Sequence, residues 1–188
     1  AELPAFMKEL RARGGTTARC LELLILTATR SIEARGARWE EFDLKEGVWT
    51  IPAERMKGKL DKRKPHRVAL SPEAIKVVKG MEGLHPELVF PSPRNKVLSD
   101  MSFKSVFKHM KRDNITAHGF RSTFTDWASE GGVFEPELVE RALAHVEKDQ
   151  VRKAYARSDL LERRVPLMNA YSAFSYGRKQ NTSAETAA

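Results

Sequence analysis

The sequence predicts a mainly α-helical domain with one small antiparallel β-sheet, an α+β arrangement. Three observations carry this. Apolar residues recur at helical spacing over most of the chain, and one region between Arg38 and Leu70 is rich in strand formers around a charged interval. The stretch Ala18 to Thr29 is apolar nearly all round, as a helix at the centre of a fold is. With 188 residues, 41% of them hydrophobic, the chain is long enough for one well-cored domain.

Leu3, Phe6, Met7 and Leu10 fall on one face of a first helix, Leu3 to Arg13, which Gly14-Gly15 ends. Thr16 or Thr17 is the expected cap of the central helix, whose last turn delivers Thr29, Arg30 and Ser31. Val48 to Pro52 and His66 to Leu70 read as the two arms of a basic hairpin with a long tip, and Arg38 to Phe42 as a third strand beside it. Ser71-Pro72-Glu73 supplies an N-cap and a first-turn proline for a helix running to about Lys79. A helix from Ser99 is expected to bury Met101, Val106, Phe107 and Met110. Others follow at about His118 to Glu130, Glu135 to Leu143, Lys148 to Tyr155 and Asp159 to Phe174. Residues 1–175 form the expected domain. Residues 176–188 are polar and small, without apolar periodicity, and are expected to be a disordered tail.

A net charge of +8 and a pI near 9.7 favour a polyanionic partner, because clustered Lys and Arg gain affinity by displacing counterions from phosphates. No apolar run reaches the roughly 18 residues of a membrane-spanning helix. The lone cysteine, Cys20, lies in the central apolar stretch and cannot form an internal disulfide. With no signal peptide at the N-terminus, the chain reads as cytoplasmic. The missing initiator Met suggests a fragment or processed chain. No Cys/His cluster, His-Glu-x-x-His or phosphate-binding Gly-Lys-Ser/Thr loop is present, so no metal or other cofactor is expected.

Several polar residues stand where structure alone does not demand them. Arg30 ends the apolar helix with Glu33 three residues on, an ion-pair spacing that also suits a phosphate ligand. His118 and Arg121 lie three apart at a helix start, where helix-end potential adds to anion affinity. His145 closes another helix, and Tyr155 follows ten residues later. Taken singly, the histidines read more readily as helix caps, and Tyr155 as a core aromatic.

Taken in order, Arg30, a lysine-bearing hairpin, His118-x-x-Arg121, His145 and Tyr155 resemble the tyrosine recombinase (phage integrase) family over about Leu3 to Phe174. The wording Ile51-Pro52-Ala53-Glu54-Arg55-Met56-Lys57 and His66 to Ser71 looks like the subgroup of phage P4 type, carried by prophages and genomic islands. Two departures are visible. The family has glycine where this chain has Ala28, in Thr27-Ala28-Thr29-Arg30, and again where it has Ala144, before His145.

The resemblance implies a catalytic domain with the tyrosine recombinase fold, acting on double-stranded DNA through a 3′-phosphotyrosyl intermediate. Arg30 and Arg121 would hold the phosphate, with Glu33 bracing Arg30. His118 would assist proton transfer, and His145 would hydrogen-bond a non-bridging oxygen. Lys57 best matches the lysine that protonates the leaving oxygen, with Lys59 second, and Lys59, Lys62, Arg63 and Lys64 are further DNA-contact candidates. It also implies amino-terminal DNA-binding domains outside this chain, a monomer when free, a synaptic tetramer on DNA, and accessory DNA-bending or directionality factors. A type IB topoisomerase and a catalytically silent DNA-binding module are the rival readings.

Overall fold

The structure, a computed structural model, describes residues 2–59, 61, 63–145 and 159–178. Tyr155 with its expected helix, Lys62 and residues 179–188 lie outside them. Among the described residues, eight α-helices surround a three-stranded antiparallel sheet of order β1-β2-β3.

Helix α1 (Leu3–Ala12) buries the four residues its spacing marked, Leu3, Phe6, Met7 and Leu10. Gly15, at φ +94°, is the N-cap of α2 (Thr16–Thr27). The threonine cap expected from sequence is not made. That backbone favours glycine, and the carbonyls at the end of α1 are met by the Arg19 guanidinium, which donates to Leu10, Arg11 and Arg13.

Every residue from Cys20 to Thr29 is buried. Helix α2 packs against α1, α3 (Ser31–Arg35), α4 (Pro72–Lys79), α5 (Ser102–His109) and α8 (Leu161–Ser175). Burial pushes the Cys20 thiol far above its ordinary value, so it behaves as core. Among the described residues no helix is long and apolar enough to cross a membrane.

The sheet joins β1 (Phe42–Asp43), β2 (Val48–Ile51) and β3 (His66–Ala69), with Val48 opposite Ala69 and Ile51 opposite His66. The first strand is shorter than the sequence suggested. Arg38 bridges Leu88 instead, and Trp39–Glu41 is a 3₁₀ turn. The turn buries the Glu41 carboxylate, which accepts from the Trp49 indole at 2.9 Å and pairs with Arg55. An extended strand would leave those donors unmet.

Ser71 caps α4 through the Ala74 N–H, with Pro72 opening the helix. Helix α5 starts at Ser102 rather than Ser99, so Met101 is exposed, and Phe103 joins Phe107 in the core in its place. Helices α6 (Gly119–Gly131), α7 (Pro136–Ala142) and α8 form the other wall. Phe124 and Trp127 of α6 pack on Tyr171 of α8 with ring centroids 4.8 and 5.0 Å apart, which fixes the face from which Arg121 projects.

The folded region runs past residue 175, through Arg178. Tyr176 donates to Glu22 of α2 at 2.5 Å, and Arg178 pairs with Glu73.

Candidate active site

The site forms where α2, α6 and α7 end or begin. Helix α2 stops because Ala28 turns left-handed (φ 51°, ψ 26°), after which Arg30 is extended and opens α3. Glu33, 1% exposed, accepts from both the backbone N–H of Arg30 at 2.7 Å and its guanidinium at 2.8 Å. That pair aims the arginine away from the core.

Arg121 stands in the first turn of α6 and reaches inward, 6% exposed. It donates to Ala28 O at 2.5 Å, to Leu143 O at 2.8 Å and to Nε2 of His145 at 3.2 Å. Arg30 donates to Ala144 O at 3.3 Å. The two guanidiniums are therefore held on adjoining carbonyls at the end of α7, and His145 is held by one of them. Burial, and then the charge of Arg30, lower the pKa of Arg121 to about 10, while Glu33 and Glu140 oppose the shift. Arg121 thus carries its charge at neutral pH, close to a second positive charge. Two cations so placed make a site for an anion.

His145 also donates from Nδ1 to Glu140 at 2.7 Å, because Nε2 is the atom that accepts from Arg121. Glu140 and Arg121 thus hold the ring from both nitrogens. Glu140 was not singled out in the sequence, although an acidic residue on the helix just before a terminal histidine is a usable signal.

His118 precedes Arg121 by one turn and is exposed. It holds the N-cap position of α6 without a side-chain cap bond, and Thr116 Oγ1 accepts from the Gly119 N–H instead. The ring has no side-chain hydrogen bond among the described residues. Lys57 and Lys59 are exposed on the interval between β2 and β3, and so is Lys64. Arg63 turns back to the carbonyls of Gly58 and Glu54, closing the loop. None of these is brought into hydrogen-bond contact with the arginine pair among the described residues. An open groove of about 1090 Å³ near Gly15, Lys96 and His109 contains none of the candidate reacting groups.

The chain has three tyrosines. Tyr171 is fully buried, with its phenol pushed well above the usual range by burial, and Tyr176 is committed to Glu22 and raised likewise. Neither hydroxyl is free to act as a nucleophile.

Residues 1–162 match the family model described as the phage integrase family. The chain belongs to that family. It is 40% identical over 175 residues to prophage integrase IntA of Escherichia coli (strain K12), covering 89% of this chain and 41% of that protein. It is 33% identical over 184 residues to the integrase of Enterobacteria phage P4, covering 88% of this chain and 42% of that one. This integrase-family chain thus spans about two fifths of the length of those relatives. Its fold is similar to the XerH site-specific recombinase solved in a pre-cleavage complex with its difH substrate. The TM-score is 0.59 at 20% identity, over 83% of this chain and 50% of that one.

The two departures from the integrase pattern acquire a physical meaning here. Ala28 and Ala144 both sit at φ 51°, in the left-handed region where glycine is unstrained. Ala144→Gly is expected to raise the unfolding free energy by up to about 1 kcal/mol, read by urea denaturation. Ala28→Gly should gain less, because its methyl is fully buried and the lost apolar contact, worth about 0.8 kcal/mol, offsets the relief. Equal gains would mean that burial is not the difference.

A buried histidine lies beside the site. His66 hydrogen-bonds Ala142 O at 3.2 Å, and its pKa is lowered to about 4 by burial and then by Arg164, with Glu33 opposing and Arg30 adding. The unfolded chain takes up this proton below about pH 6.5 and the folded one only below about 4, so stability is lost as pH falls through that window. Wild type is expected to lose about 2.5 kcal/mol between pH 7 and pH 4.5 beyond what His66→Gln loses, by urea unfolding at the two pH values.

Proposed function

We propose that this domain is the catalytic part of a site-specific recombinase that cuts and rejoins double-stranded DNA, for integration or excision of a prophage or genomic island. The observation that carries this is the arginine pair, held on consecutive carbonyls with His145 against one guanidinium. A scissile phosphate bridges Arg30 and Arg121, which stabilise the added charge of the pentacovalent state.

The Tyr155 phenol, ordinarily protonated at neutral pH with a pKa of about 10, attacks phosphorus, and its proton leaves with the help of His118. The bond from phosphorus to the 5′-oxygen breaks, and that oxygen takes a proton from Lys57. The products are a 3′-phosphotyrosyl link and a free 5′-hydroxyl. Rejoining is the reverse attack by a 5′-hydroxyl, and because the ester bond is conserved no ATP is consumed. Glu33 holds Arg30 in place throughout.

Lys59, Lys62, Arg63 and Lys64 meet the DNA backbone around the hairpin, so affinity falls steeply with salt. The free domain is a monomer that assembles as a tetramer on paired sites in the cytoplasm, with DNA-binding domains outside this chain and DNA-bending or directionality factors assisting.

The test is a nicked suicide duplex carrying the crossover site, from which the freed 5′-end diffuses away. A covalent protein–DNA adduct whose labelled peptide contains Tyr155 is the expected result. Specific binding with no adduct would make the chain a silent DNA-binding module, and relaxation of plasmids lacking the site would point to a topoisomerase.

A further inference from the structure

Three consecutive carbonyls at the end of α7 are taken by three different donors. Leu143 O and Ala144 O accept from Arg121 and Arg30, and Ala142 O accepts from the His66 ring at 3.2 Å. Two of these donors are the arginines of the anion site. The third belongs to the hairpin.

His66 opens β3 directly opposite Ile51, the last residue of β2. The interval carrying Lys57 leaves the sheet at Ile51 and returns at His66, so this pair is its base. A carbonyl only accepts, so Nε2 of His66 bears the hydrogen and the ring is a fixed donor. It is 9% exposed, and with the ring neutral at working pH it is poorly placed to carry protons.

A second tie comes from Arg55, two residues before Lys57. Its guanidinium pairs with Glu41 and donates to Glu33 O at 2.5 Å, on the residue that braces Arg30. The base of the hairpin is thereby joined to α3 on one side and to α7 on the other.

We infer that His66 is a positioning residue for strand cleavage: its bond to Ala142 O sets the Lys57-bearing hairpin in register with the Arg30, Arg121 and His145 cluster. The inference rests on Lys57 being the proton donor to the leaving oxygen.

A phosphorothiolate substrate separates the two assignments, because a sulfur leaving group departs without a proton. Single-turnover cleavage of ordinary and 5′-phosphorothiolate suicide duplexes is measured for the 188-residue chain and for Lys57→Ala, His66→Leu and His66→Gln. His66→Leu keeps buried bulk and removes the donor, whereas His66→Gln restores an N–H.

His66→Leu is expected to cleave the ordinary duplex at least about tenfold more slowly, to approach wild type on the phosphorothiolate, and to bind DNA unchanged. His66→Gln should recover most of the ordinary rate. A His66→Leu variant that is equally slow on both substrates, or unimpaired on both, overturns the inference. Failure of the phosphorothiolate to rescue Lys57→Ala would overturn the Lys57 assignment, and the inference with it. If His66→Leu does not fold, His66→Asn, whose shorter amide does not span the same gap, makes the same comparison.

Discussion

Tyr155→Phe is expected to abolish the covalent adduct, lowering cleavage by on the order of 10⁴-fold or more, while the dissociation constant for DNA stays within about twofold. The substitution removes one oxygen and no charge. Affinity for the duplex comes from phosphates meeting Lys and Arg, and an uncharged phenol adds little to it. No other tyrosine takes over. Tyr171 is sealed in the aromatic cluster between α6 and α8, and the Tyr176 hydroxyl is bound to the buried Glu22 carboxylate. Glu22 also lies about one and a half turns of α2 before the end that presents Arg30. An adduct surviving in Tyr155→Phe, with unchanged gel mobility after nuclease trimming, would remove the nucleophile assignment. Loss of DNA binding alongside the adduct would mean that the residue is structural.

The features legible in the sequence are those decided over short distances. Ser71-Pro72 announces α4 because an N-cap and a first-turn proline act within one turn, and the apolar periodicity of Leu3 to Leu10 is a local pattern. The order Arg30, His118, Arg121, His145 is legible as a family pattern, yet what holds it together is not. Arg121 meets Ala28 and Leu143 across separations of 93 and 22 residues, and His66 meets Ala142 across 76. No periodicity reports such contacts. The replacement of two glycines by Ala28 and Ala144 is plain in the letters, but their shared left-handed backbone appears only in the fold. The strand expected at Arg38 to Phe42 fails because Glu41, an ordinary exposed residue by composition, is drawn inward by Trp49 and Arg55. Long-range polar pairing overrode a local preference.

Arg121→Lys is the more demanding test, since it keeps the charge and discards the geometry. The guanidinium fork satisfies two carbonyls and a ring nitrogen at once, and a single ammonium does not span Ala28 O, Leu143 O and His145 together. At least one carbonyl that Arg121 meets loses its donor, at a cost of about 1–3 kcal/mol, so chemical denaturation should show a loss of about that size. Cleavage at saturating DNA should fall by roughly 10²–10³-fold, the usual effect of removing one aligned donor from an anion site. The lowered pKa of Arg121 adds a distinguishing measurement. Burial and the charge of Arg30 make the site unfavourable for two cations, and an oxyanion between them relieves that repulsion. Inorganic phosphate should therefore raise the melting temperature of wild type more than that of Arg121→Lys. An equal rise in both would mean that phosphate binds elsewhere on the basic surface, and the arginine pair would lose its claim to be the site of reaction.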